Sequence, residues 1–210
     1  MINNIELIAQ SSIRIKYNDL IIYFDPYLLN NKYKSDADYI FITHSHYDHF
    51  SSSDILSIKK NNTKIVIPYD LEKQVRNLGF TNILLVKPNN NYEIDDIKFS
   101  TVPAYNINKN YHKKEFNWVG YIINLGKIIY IAGDTDNIDD IRNIKCDMAC
   151  VPIGGIYTMN VLEAVDLIKS IKPSMVIPIH YQTIVGTKED AYEFKKLLQD
   201  ITDVEVLMEK

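Results

Sequence analysis

Apolar residues in this chain fall into short runs rather than long helical stripes. Residues 5–24 alternate or run apolar, through Ile5 and Leu7, Ile13 and Ile15, then Leu20-Ile21-Ile22-Tyr23-Phe24, which predicts strands joined by a turn at Asn18-Asp19. Asp25-Pro26 ends that run, and Tyr39-Ile40-Phe41-Ile42 predicts a buried strand stopping at Thr43. Ser51 to Lys60 predicts a helix with Ser52 or Ser53 as N-cap. Lys64 to Ile67 predicts a strand, Leu71 to Leu78 a helix stopped by Gly79, and Ile83 to Val86 another strand.

The second half repeats this rhythm. Residues 92–104 and 118–132 predict antiparallel strands, with a turn at Leu125-Gly126-Lys127. Cys146 to Pro152 predicts a strand, Val161 to Ser170 a helix closed by Pro173, Met175 to Ile179 a strand, Lys188 to Gln199 a helix and Val204 to Met208 a last strand. Hairpins followed by strands alternating with helices, twice over, predict an α/β protein with two sheets packed face to face and helices outside. Layer logic alone admits other α/β arrangements.

Composition narrows the class. With 46% hydrophobic and 24% charged residues among 210, the chain is neither disordered nor fibrous, and no biased linker divides it. A single domain over residues 1–210 is expected. No apolar stretch reaches the ~18 residues of a membrane span, and the first residues lack the features of a signal peptide, so a cytoplasmic protein is expected. A net charge of −4 weighs against a general nucleic-acid binder. Cys146 and Cys150, four apart on one strand, would be separated by about 13 Å, beyond disulfide reach. Free thiols suit a reducing compartment.

The chemistry concentrates in Thr43-His44-Ser45-His46-Tyr47-Asp48-His49, which places three of the five histidines and an aspartate at a strand end. Imidazole and carboxylate are the donors zinc takes where a site also holds water. His44 and His46, two apart on an extended turn, point the same way and can share one metal. Asp48 and His49, one turn on, can face a second. A solvated polar loop is the plainer alternative.

The motif resembles that of the metallo-β-lactamase superfamily, whose fold is a four-layer αββα sandwich holding one or two metals. By that resemblance, Asp134 in Ala132-Gly133-Asp134-Thr135 is the metal-bridging carboxylate, and His180 in Ile177-Pro178-Ile179-His180 is a ligand of the second metal. The family also supplies a third histidine to the first metal. Here Val102-Pro103-Ala104-Tyr105 leads to Asn106, so His112 must fold back to fill that place, or Asn106 or water takes it. The chain is most similar to the compact L-ascorbate-6-phosphate lactonase-like branch, through Val151-Pro152-Ile153-Gly154-Gly155-Ile156-Tyr157-Thr158-Met159 and Pro178-Ile179-His180-Tyr181.

The resemblance implies a hydrolase in which two divalent ions, zinc with Mn2+ or Fe2+ as alternatives, generate a metal-bound hydroxide. That nucleophile would cleave an ester, lactone or phosphoester bond of a small molecule. Asp48 would be the catalytic carboxylate that orients it. Lys109, Lys113 and Lys114 could meet an anionic group on the substrate, or simply form a solvated basic loop. Tyr105, Tyr157 and Tyr181 could line the pocket or belong to the packing, and Trp118 is expected in the core. Two other readings compete: a phosphodiesterase of phospholipase-D-like type, and a metal-binding module without turnover.

Overall fold

Runs rich in Ile, Val, Tyr and Phe form strands because branched and aromatic side chains fit a pleated, buried surface. The computed structural model describes residues 5–208, and the chain divides into two units, Met1–Val86 and Lys87–Lys210.

In the first unit, β1 (Ile5–Ala9), β2 (Ser12–Tyr17), β3 (Leu20–Phe24), β4 (Ala37–Phe41), β5 (Lys59–Pro68) and β6 (Ile83–Val86) form one sheet in chain order. The first three strands are an antiparallel meander, and β3 to β6 run parallel. The β2–β3 turn is tight because Asn18 adopts φ of 53°, a left-handed conformation asparagine tolerates. Helix α1 (Ser52–Ile58) links β4 to β5, and α2 (Glu72–Asn77) links β5 to β6. Ile40, Ile42, Ile65 and Ile67 share a core cluster with Ile55 and Ile58 of α1 and Leu71 and Val75 of the second crossover. The alternate residues Phe41 and Val66 are buried too. Burial on both faces is why these parallel strands read as unbroken apolar runs.

The second unit follows the same plan. Strands β7 (Asn91–Ile94), β8 (Ile97–Pro103), β9 (Val119–Asn124) and β10 (Ile128–Ile131) are antiparallel. From β10 the sheet continues in parallel through β11 (Met148–Pro152), β12 (Met175–Ile179) and β13 (Asp203–Val204). Helix α3 (Val161–Ile171) precedes β12 and α4 (Lys188–Leu198) precedes β13. Both helices begin with a capping box, Asn160 with Glu163 and Thr187 with Asp190, which satisfies their first free amides. Among the described residues no helix is long and apolar enough to cross a membrane.

Several boundaries differ from the sequence reading. The N-cap of α1 is Ser51, whose side chain accepts from the Asp54 amide. The helix then gives way at once to β5, so Lys59 and Lys60 are strand, with Lys59 opposite Ala37. Within 92–104 a hairpin turns at Asp95, φ 51°. β11 starts at Met148, because Asp147 is held between elements: its carboxylate accepts from Ile128 N and its carbonyl from Ser174 N and Met175 N. The last strand is confined to Asp203–Val204, with Glu205 N still donating to Val176 O.

Candidate metal centre

In the first unit, β3 and β4 are parallel with Phe24 opposite Phe41, so Asp25 and Thr43 emerge near each other at the carboxyl ends. Asp25 is buried and adopts φ of 46°. Its Oδ1 accepts from Thr43 N at 2.8 Å, while Oδ2 takes the Thr43 hydroxyl at 2.7 Å and lies 2.7 Å from His49 Nδ1. Burial raises the Asp25 carboxyl above the usual carboxylate range, against the pull of His49 and Thr43. The turn closes through His49 N and Phe50 N, both donating to His46 O. His44 stacks against its neighbours, with ring centroids 4.8 Å from His46 and 4.0 Å from His49. His44 Nε2 lies 3.1 Å from His46 Nδ1, and His49 Nε2 lies 3.5 Å from Asp48 Oδ2. Asp48 also accepts from Gln10 Nε2 at 3.1 Å. All four motif residues named from the sequence therefore cluster, with His44, Asp48 and His49 buried and His46 half-buried.

In the second unit, the parallel register of β10, β11 and β12 brings out Asp134, Gly154 and His180 at their carboxyl ends, where α/β proteins build sites. Asp134 Oδ2 lies 3.0 Å from His180 Nε2 and 3.2 Å from His112 Nε2, and none of the three is more than 3% exposed. One buried carboxylate oxygen facing two imidazole nitrogens is a donor set that fits a divalent cation.

Loop 105–112 does fold back. Asn106 Oδ1 accepts from His112 N and lies 3.0 Å from His112 Nδ1, and Asn106 N donates to His112 O at 2.7 Å. Asn106 itself faces His112, Asp136 and the Tyr157 carbonyl. His112 packs edge-on against Trp118, which is buried as expected.

Two positions explain the glycine-rich segment. His180 is held at φ 57°, a costly conformation for a residue with a side chain. A Cβ at Gly154 would lie 2.3 Å from the His180 carbonyl oxygen and 3.2 Å from its Nδ1, so only glycine permits this approach.

Of the three lysines read as substrate contacts or a solvated basic loop, Lys109 and Lys114 are engaged within the protein and Lys113 is exposed. Lys109 donates to Asp136 at 2.6 Å and to the Thr158 carbonyl at 2.9 Å. Lys114 lies over the Tyr105 ring and donates to its hydroxyl. Tyr105 in turn donates to Asp140, Tyr157 packs on Tyr111, and Tyr181 is core. The sequence reading passed over Asp25, Gln10 and Asp136. Asp25, directly after an apolar strand, and Asp136, close behind β10, carry the same strand-end signal that marked His44.

Residues 4–180 match the model of the β-lactamase superfamily domain. The UPF0173 metal-dependent hydrolase of Nanoarchaeum equitans is 35% identical over 205 residues, covering 93% of this chain and 92% of its own. Its counterpart from Thermococcus onnurineus is 35% identical over 203 residues, covering 89% and 88%. Among solved structures, a protein from Parabacteroides distasonis described as a metal-dependent hydrolase aligns with a TM-score of 0.84. It is 31% identical, with 96% of this chain and 90% of that chain covered. The chain belongs to the metallo-β-lactamase superfamily, within its UPF0173 metal-dependent hydrolases, and its fold class is the αββα class expected from the sequence. It is a metal-dependent hydrolase.

Proposed function

We propose that the two units act as one hydrolase domain that cleaves an ester, lactone or phosphoester bond of a small molecule with two divalent ions. By the family resemblance, His44, His46, Asp48 and His49 of the first unit and His112, Asp134 and His180 of the second would supply the ligands. Zinc suits this nitrogen-rich set, with manganese or iron as alternatives. The observation that carries the proposal is the Asp134 carboxylate oxygen set between two buried imidazoles. Membership of a family of metal-dependent hydrolases supports it.

Such ions supply a water nucleophile at neutral pH and polarise the oxygen of the bond under attack. The chain's own residues do the positioning. Asp25 holds His49 through Nδ1, and Gln10 fixes one oxygen of Asp48, leaving that carboxylate to orient the attacking water. Cys146 and Cys150 are free thiols, which accords with work in the cytoplasm.

The test is metal content per chain by mass spectrometry, with hydrolysis of a lactone, an aryl ester and an aryl phosphodiester, on wild type, Asp134→Ala and His112→Ala. About two metals in the wild type, lost in Asp134→Ala together with ester or lactone turnover, is the expected outcome. One metal or none after addition of zinc or manganese would overturn the dinuclear reading. Turnover of the phosphodiester alone would move the activity to the phosphodiesterase class.

A further inference from the structure

The amide of Asn106 is buried, and the groups it meets tell its two ends apart. The backbone N–H of His112, 3.0 Å from one end, can only donate, so that end is Oδ1. The other end faces the Tyr157 carbonyl at 2.9 Å and Asp136 Oδ1 at 3.0 Å, both acceptors, and is therefore Nδ2. The same Oδ1 lies 3.0 Å from His112 Nδ1, so this ring nitrogen carries the proton. Nε2 is the ring nitrogen left to face a metal, on the side where Asp134 Oδ2 is 3.2 Å away.

Asp136 sets this arrangement. Its carboxylate accepts from Asn106 Nδ2, from Ile107 N at 2.9 Å and from Lys109 Nζ at 2.6 Å. Three donors converge on this one nearly buried side chain, and the Lys109 ammonium pairs with it. Lys109 is anchored in turn on the Thr158 carbonyl.

We infer that Asp136, anchored by Lys109, is a positioning residue that acts through Asn106 to hold His112 in the Nδ1–H tautomer, with Nε2 ready for a metal. The inference rests on His112 being a metal ligand. A partner that fixes the tautomer and angle of a ligating imidazole is worth about 10–100-fold in metal affinity.

The experiment uses the full chain with 15N-labelled imidazoles, comparing wild type with Asp136→Ala, Asn106→Ala, Lys109→Met, Lys109→Arg and His112→Ala. Long-range 1H–15N spectra of the metal-free protein read the tautomer, competition with a chelator reads zinc affinity, and thermal melting reads the fold. In wild type and Lys109→Arg, His112 carries its proton on Nδ1 and zinc binds equally. In Asp136→Ala, Asn106→Ala and Lys109→Met the single tautomer is lost and zinc binds about 10–100-fold more weakly.

A variant that melts earlier but keeps both the tautomer and the zinc affinity would overturn the inference, leaving Asp136 a structural brace. Should Asp136→Ala fail to fold, Asn106→Ala and Lys109→Met carry the same test. Unchanged zinc affinity in His112→Ala would instead remove the ligand assignment beneath it. Weakened binding in His112→Ala alone would leave that assignment standing and sink the role of Asp136.

Discussion

The two units present their proposed metal donors in opposite ways. In the first, the donors are contiguous: His44, His46, Asp48 and His49 lie on one turn after β4, and one buried carboxylate, Asp25, ties that turn to the end of β3. In the second, His112, Asp134 and His180 come from three separate segments, and what aligns them is close backbone fit and a buried polar network. A contiguous set needs one pin, because peptide geometry has already brought its members together. A dispersed set depends on each segment's exact path, so a small backbone displacement in the second unit should cost more than loss of a side-chain pin in the first.

Gly154→Ala tests that contrast most severely. The added methyl would sit 2.3 Å from the His180 carbonyl oxygen, and backbone cannot yield as a flexible side chain can. Relief requires the β11 exit or His180 to move. Overpacking of this kind costs about 1–3 kcal/mol of stability, and displacing a catalytic group by 1 Å costs about 10²-fold in rate. The variant is expected to melt several degrees lower, to lose metal and to drop at least that far in turnover. Wild-type metal content and rate in Gly154→Ala would break the comparison.

The same contrast decides how much was legible in the sequence. The motif from His44 to His49 stood out because its donors are neighbours in the chain as well as in space. Met175–Ile179 was legible to the residue, since a buried parallel strand is an unbroken apolar run between polar ends. His112 was not fixed by any pattern, because its place depends on Asn106 and Asp136, whose partnership is written only in the folded loop. Lys109 could be read only as a substrate contact or a solvated charge for the same reason: composition gives its charge, but not the carboxylate that neutralises it. The missed start of β5 is of another kind. Lys59 and Lys60 are polar and follow a helical pattern, yet Lys60 N donates to Thr63 Oγ1, whose hydroxyl donates to Ala37 O. Tertiary pairing outweighs local preference there.

Asp25→Asn probes the pin of the first unit, and a smaller effect is expected. The shape is kept, and an amide oxygen can still accept one of the bonds from Thr43 or His49, but not all of those made by the carboxylate. Metal affinity should fall about 10–100-fold, read by chelator competition, while Asp134, His112 and His180 keep their arrangement. An effect larger than that of Gly154→Ala would reverse the comparison and make the first unit the more fragile.

The smallest effect is expected at sulfur, and it sharpens the claim that both donor sets use only nitrogen and oxygen. Burial, with Asp147 adding to it, pushes the Cys146 thiol up to about 12, and burial pushes fully buried Cys150 higher still. At pH 8 the thiolate of Cys146 is then on the order of one in 10⁴ of the population, and thiolate is both the nucleophile and the metal-binding form. Treating the folded protein with iodoacetamide at that pH should label neither cysteine within an hour and leave metal content and turnover unchanged. Both should react once the chain is denatured. Rapid labelling of the folded protein with loss of metal would put a cysteine among the donors, and the second unit would then contribute sulfur where the first contributes only nitrogen and oxygen.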